Sequence, residues 1–168
     1  GVELRRSEFV GPAVGAEYTW TNPYAGVIVP TSYALYAGRV AGYPYNGTWA
    51  PPFTTFYGVY ERYAAVGGKA PWNLPTRWRR PPAGLDLGTP LDLVSTNDII
   101  GGNSGSPLLN KNLELVGLVF DGNMESLPGE FIYTDETART LSVDVRGILA
   151  ALRAPYGATR IVAELNGR

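Results

Sequence analysis

The chain has 168 residues, with 14 Lys and Arg against 15 Asp and Glu, so its formal net charge is −1 and nothing favours nucleic acid or an anionic membrane as a partner. It contains neither cysteine nor histidine, which excludes a disulfide framework and a thiolate metal site and leaves zinc without its usual ligands; no cofactor is implied. A content of 45% hydrophobic and 17% charged residues, with 21 Gly, 14 Pro and 11 Tyr, describes one folded core of short strands rather than a helical bundle.

The chain opens at Gly1 with no basic-then-apolar leader, which reads as a processed or excised piece of a longer protein. Residues 1–32 combine Glu3, Arg5, Arg6 and Glu8 with a Gly/Ala/Pro stretch and stay unassigned. Tyr33 to Tyr45 alternates loosely as a strand would, and Asn46-Gly47 is a strong hairpin-turn signal. Strand-like chemistry resumes from Pro51 to Tyr60. Gly67 to Gly88 turns to Gly, Pro, Trp and Arg, including Trp78-Arg79-Arg80, and predicts a long surface loop whose Trp and Arg pack onto the body in preference to a ligand.

Leu91 to Ser95 predicts a strand leading into Thr96–Pro107, and Pro107 to Asn110 follows that turn. Lys111-Asn112 marks a second turn, and Leu113 to Phe120 is the clearest buried strand, ended by Asp121-Gly122-Asn123. Val143, Ile148, Leu149 and Leu152 recur at helical spacing with Asp144 in the first turn; Ile161, Glu164 and Leu165 suggest one more helical turn or two. No run of about 18 apolar residues predicts a membrane span.

The most informative run is Gly101-Gly102-Asn103-Ser104-Gly105-Ser106-Pro107. A nucleophilic serine must sit on an exposed turn with backbone amides aimed at the oxygen that becomes negative in a tetrahedral intermediate. Here Ser104 is the candidate nucleophile, in preference to Ser106, and the amides of Gly102 and Ser104 are the candidate oxyanion hole. The pattern differs from Gly-x-Ser-x-Gly, which disfavours the nucleophile elbow of an α/β-hydrolase. Yet the chain holds no histidine to act as general base, so it presents the nucleophile half of the machinery alone. The bland alternative is a Gly/Ser/Asn hairpin loop.

Taken together, Thr96-Asn97-Asp98-Ile99 before the serine turn, Glu114 to Asn123 after it, Pro52-Phe53-Thr54-Thr55 upstream and Arg139 to Arg146 downstream resemble the bacterial dipeptidyl-peptidases of the dipeptidyl-peptidase 7 and 11 group. The resemblance covers residues 33–168; Ile100 departs from its pattern, which has a polar residue there. It implies a mainly β fold, a chymotrypsin-like second β-barrel with a C-terminal helix, whose companion barrel carries the histidine and aspartate. It further implies Ser104 as nucleophile, Asp121 as a ligand of the substrate's free α-amino group, and Gly122 at the S1 pocket, with an aliphatic or aromatic P1 residue. Expected partners are an oligopeptide with a free N-terminus and the His/Asp-bearing barrel, on the same parent chain or another, with a homodimer also admissible. The family places the protein in the periplasm or at the cell surface of a bacterium.

Two rival readings stay open. One is a non-catalytic β-barrel that binds peptides or another protein, favoured by the lack of histidine. The other is a trypsin-like endopeptidase fragment that uses Asp98, six residues before Ser104, as the selector of Lys or Arg; the resemblance instead gives Asp98 a structural role.

Overall fold

The computed structural model describes residues 37–132 and 134–167. Of the strand expected over 33–45, the first four residues lie outside that range, as does the unassigned segment 1–32. Within it, the first strand is β1 (Tyr43–Tyr45), which pairs antiparallel with β2 (Thr48–Ala50). Asn46 and Gly47 both take positive φ, +47° and +73°, as a tight two-residue hairpin turn demands.

A second, five-stranded sheet carries the body of the protein, in the order β3-β4-β7-β6-β5 with every neighbouring pair antiparallel. Its strands are β3 (Phe53–Thr55), β4 (Pro90–Ser95), β5 (Pro107–Leu109), β6 (Leu115–Gly122) and β7 (Thr140–Asp144). The fold is therefore mainly β, as expected. β6 does not end at Asp121: Asp121 pairs with Leu141 and Gly122 with Thr140. The step from Val119↔Ser142 to Asp121↔Leu141 leaves Phe120 as an extra residue, a β-bulge.

The strand chemistry read over Pro51–Tyr60 holds only as far as Thr55. From Phe56 the chain forms helix α1 (Phe56–Ala65). Phe56, Val59, Tyr60 and Tyr63 recur at i, i+3, i+4 and i+7, and these are the positions the helix turns inward, Phe56 to 2% exposure. Phe56 stacks on Trp78 with ring centroids 5.9 Å apart, so packing overrides the strand preference of aromatic residues. Trp78 also donates from Nε1 to the Tyr156 hydroxyl at 3.2 Å, while Arg77 lies over the Tyr156 ring. The long loop over 67–88 thus uses its tryptophan and arginine for packing.

β7 runs directly into α2 (Val145–Arg153), which packs against α3 (Thr159–Leu165). Val143 belongs to the strand rather than the helix, and Asp144 is the N-cap, one residue ahead of the first turn. Its side chain accepts from the Arg146 amide at 2.8 Å and from the Arg146 guanidinium at 2.9 and 2.7 Å, meeting an otherwise orphaned helix donor. Gly147 lets α2 lie close on β4, since a Cβ there would approach the Pro90 carbonyl to 2.8 Å. Among the described residues no helix is long and apolar enough to cross a membrane.

The inner face of the sheet is small and polar. Leu93 and Val119 are buried there with Ser95, Thr140, Ser142 and Asp144. Gly117 allows close strand approach, an added Cβ meeting the Val143 carbonyl at 3.1 Å.

Asp144→Ala removes cap and ion pair together and should lower the unfolding free energy by about 1–2 kcal/mol in a urea titration. Asp144→Asn, which keeps an acceptor for the Arg146 amide, should lose less. Asp92 gives a test in pH. Burial pushes its carboxyl above the ordinary range, the hydrogen bond from Thr54 Oγ1 works against that shift, and the charge of Asp144 adds to it. The native state then holds this proton more tightly than the unfolded chain, so stability falls as pH rises through the carboxylate range. Asp92→Asn should accordingly stabilise the protein more at pH 7 than at pH 4, read as the difference in urea midpoint from the wild type.

Candidate active site

The segment between β4 and β5 folds into the serine turn through its own polar groups. The Ile100 amide donates to Asn103 Oδ1 at 2.8 Å, and the Asn103 amide returns to the Ile100 carbonyl at 3.2 Å. The Ser106 amide donates to the Asn103 carbonyl, and Gly105 and Val119 tie the turn to β6 by the bonds Gly105 N to Val119 O, 2.7 Å, and Val119 N to Ser106 O, 2.9 Å. Gly102 and Gly105 sit at φ +98° and +88°, where a side chain would strain the backbone. No atom lies within 4 Å of a Cβ built at Gly101, Gly102 or Gly105, so this face of the turn is open.

Ser104 is exposed on that face, and Ser106 is half-buried. The Ser104 hydroxyl donates to the Phe120 carbonyl at 3.1 Å. Among the described residues the amides of Gly102 and Ser104 donate to no acceptor, whereas those of Asn103 and Gly105 do. The two candidate oxyanion donors are thus the ones the turn leaves unspent.

The bulge residue Phe120, whose carbonyl holds the Ser104 hydroxyl, is followed directly by the next two candidate residues. Asp121 is exposed, and its Oδ1 accepts from the Gly122 amide at 2.8 Å; it forms no ion pair among the described residues. Gly122 faces the side of the sheet that Thr140 and Ser142 occupy. A Cβ on Gly122 would run into Ser126 Oγ and lie 3.3 Å from Ser126 Cβ. Beyond it a cavity of about 20 Å³ is lined by Asn97, Asp98, Ile99, Ser126, Ile132 and Arg139, among others. Asp98 is a wall of that cavity, whose lining includes Ser126 but not Gly122.

Sequence reasoning assigned no role to the residues that hold these pieces together. Asn123 is buried; its Oδ1 accepts from the Arg139 amide at 2.8 Å, its amide donates to the Arg139 carbonyl at 3.0 Å, and its Nδ2 donates to the Thr137 carbonyl. Arg139, 4% exposed, spreads its guanidinium over the carbonyls of Ala41 (2.9 Å), Gly42 (2.7 Å), Asp135 (2.8 Å) and Ala138 (2.7 Å), and over the ring of Tyr43. Thr140 Oγ1 donates to the Asn97 carbonyl at 2.6 Å, fastening the start of the serine segment to β7. An arginine opening the alternating run Thr140, Ser142, Asp144 was a signal available in the sequence; its partners 97 and 98 residues away were not.

No cluster of three or more His, Cys, Asp or Glu side chains is placed to hold a metal among the described residues. The arrangement offers an exposed hydroxyl, two free amides and an exposed carboxylate along one sheet edge, a set suited to acyl transfer once a base is supplied.

A family model described as Peptidase S46 matches residues 31–167. The dipeptidyl-peptidase 7 of Porphyromonas endodontalis is 36% identical over 135 residues, covering 77% of this chain and 16% of that protein. The Asp/Glu-specific dipeptidyl-peptidase of Capnocytophaga gingivalis is 34% identical over 138 residues, covering 77% of this chain and 19% of that protein. A crystal structure of Porphyromonas endodontalis DPP11 in complex with the dipeptide Arg-Asp superposes with a TM-score of 0.62 at 25% identity, over 76% of this chain and 19% of that one. The chain spans less than a fifth of the length of the curated relatives it matches.

Arg139→Lys keeps the charge but leaves most of the five carbonyls its guanidinium reaches, that of Glu136 included, without a donor. It should cost about 2–4 kcal/mol of stability. Hydrogen exchange should rise first over residues 41–43 and 135–139, while α3 keeps its protection.

Proposed function

The chain belongs to the peptidase S46 family, and we propose that it is the serine-bearing part of a dipeptidyl-peptidase that releases N-terminal dipeptides from peptides. On this reading residues 33–168 are the second, chymotrypsin-like β-barrel of a double-barrel serine peptidase, and residues 1–32 stay unassigned. The observation that carries the proposal is the exposed Ser104 on a turn whose Gly102 and Ser104 amides are unspent, with the Asp121 carboxylate next to the carbonyl that holds its hydroxyl.

The mechanism follows from those positions. A histidine outside these 168 residues, oriented by an aspartate of the companion barrel, takes the Ser104 proton, which rests on the Phe120 carbonyl until then. Ser104 Oγ attacks the carbonyl after the second substrate residue, and the developing oxyanion takes hydrogen bonds from the Gly102 and Ser104 amides. The C-terminal remainder of the peptide leaves as a new amine, its nitrogen taking the proton returned by the histidine, and water releases the acyl dipeptide in a second, similar step. Asp121 pairs with the free α-ammonium group, which restricts cleavage to chain ends. Gly122 brings no charge to the P1 side chain, so an aliphatic or aromatic P1 is favoured.

Surface composition supports a covering partner. After Gly122 the chain exposes Met124 (76%), Leu127 (67%), Phe131 (88%) and Ile132 (70%), a run of apolar side chains that the companion barrel or another domain would shield. The relatives matched are bacterial, which supports the periplasm or cell surface as the site of action. Asp98 lines a cavity with Ser126 and Arg139, but neither Ser104 nor Gly122 is among the residues lining it, so its position gives the trypsin-like alternative no support.

With the companion barrel present, a fluorophosphonate probe should label Ser104, and Ser104→Ala should abolish both labelling and dipeptide release, a loss of roughly a million-fold. Activity surviving in Ser104→Ala sinks the proposal. Blocking the substrate N-terminus should remove turnover in the wild type; cleavage of blocked peptides after Lys or Arg would favour the endopeptidase. A correctly assembled protein that neither labels nor cleaves is a binding module.

A further inference from the structure

A cavity of about 400 Å³ opens between α1, the loop after it and β4, and none of Ser104, Asp121 or Gly122 lines it. That volume falls within the range of small-molecule sites, roughly 300–1,000 Å³. Val59, Leu91 and the exposed ring of Trp72 give it apolar walls. Two opposite charges line it as well, Asp92 on β4 and Arg62 on α1. Among the described residues neither forms an ion pair, with the other or with any third group. Asp92 is half-buried, and its carboxylate takes a hydrogen bond from the neutral Thr54 hydroxyl at 3.0 Å. Burial, and after it the charge of Asp144, push its carboxyl up, while Asp144 keeps Arg146 for itself. Among the described residues this carboxylate thus lacks a counter-cation. Arg62 places its guanidinium 4.9 Å from the centre of the Trp72 ring. A guanidinium over an aromatic face keeps the N–H donors of its rim for a carboxylate.

We infer that this cavity is a second binding site, and that its ligand is a free dipeptide with apolar side chains, held as a zwitterion. The α-ammonium group pairs with Asp92, the α-carboxylate pairs with Arg62, and the side chains rest on Trp72, Val59 and Leu91. A ligand with one charge satisfies one wall and leaves the other bare. In a free amino acid both charges sit on one carbon, too close together for two walls that do not touch each other. A long peptide carries its two terminal charges too far apart to place both in one cavity. The site stands on Asp92 and Arg62 alone and does not require Ser104 to be a nucleophile.

The test is calorimetric titration of Val-Leu into the protein with its histidine-bearing barrel present. Because Asp121 also offers a carboxylate to an α-ammonium group, the titrations use the Asp121→Ala background, which removes that competing contact. Val-Leu should still bind there, at one site. N-acetyl-Val-Leu and Val-Leu amide each lack one charge and should bind at least about tenfold more weakly. Asp92→Asn should weaken Val-Leu and its amide by about tenfold and leave N-acetyl-Val-Leu unchanged; Arg62→Gln should weaken Val-Leu and N-acetyl-Val-Leu and leave the amide unchanged. Both variants should fold, since Asp92→Asn relieves a buried charge and Arg62 is exposed, and urea midpoints check this. No binding of Val-Leu in the Asp121→Ala background overturns the inference, whether the dipeptide sat at the serine turn or companion segments close the cavity. Binding that folded Asp92→Asn and Arg62→Gln leave intact, or weaken equally for all three ligands, overturns it too. A protein that binds Val-Leu through Asp92 and Arg62 but never labels at Ser104 keeps this site and sinks the catalytic reading alone.

Discussion

Among the described residues the buried guanidinium of Arg139 has no carboxylate partner, an unusual thing for a fold to depend on. Isolated charge is costly inside a protein, and Arg139 is tolerable because backbone carbonyls surround it on its planar fork. Those carbonyls belong to two segments otherwise distant in the chain: the approach to the β1–β2 hairpin and the connection before β7. Through its backbone the same arginine binds Asn123, the residue immediately after Gly122. The position of the candidate substrate-binding pair is thereby referred to the rest of the molecule through one side chain. A lysine cannot reproduce this, because its donors radiate from a single nitrogen.

The interior that this clamp closes is short of apolar material. Phe56, Leu93, Val119 and Val162 are its buried hydrophobic residues among those described, beside a comparable number of buried hydroxyls and carboxylates. The Ser95 and Ser142 hydroxyls have no partner among the described residues, on adjacent strands of the same sheet face. Specific polar contacts therefore carry a share of the folding that hydrophobic burial carries in a larger core: the Asp144 cap, the Thr140 bond to Asn97, and the Arg139 clamp.

Much of the sheet could be read from the sequence where local chemistry decides it. Asn46-Gly47 imposes its turn, Leu91–Ser95 is a strand as read, the strand read over Leu113–Phe120 begins only at Leu115 because Leu113 sits exposed in the preceding turn at positive φ, and the glycines of the serine turn are required where φ is positive. The misreadings share a cause. Phe56 to Tyr60 carries residues suited to strands, but Trp78, more than twenty positions on, supplies a ring for Phe56 and the helical spacing prevails. Asp144 was placed one residue too far into its helix because the strand alternation of Thr140, Ser142 and Asp144 competes with the helical spacing of Val143. Arg139 and Asn123 were invisible as organisers of the site because each acts through backbone groups that only the folded chain brings near.

The bulge at Phe120 has a consequence for how the chain tolerates change. In an unbroken strand, Val119 and Asp121 would share a face, and the acid would turn toward the buried serines. One supernumerary residue reverses the parity, leaving Phe120 and Asp121 both outward and returning Gly122 to the inner side. Access to the carboxylate is thus a matter of counting as well as of chemistry. Pairing Phe120 with Leu141 would exchange the inside and outside of the strand's last two positions, whereas deleting Phe120 would keep Asp121 opposite Leu141 and Gly122 opposite Thr140 and take away the carbonyl on which the Ser104 hydroxyl rests.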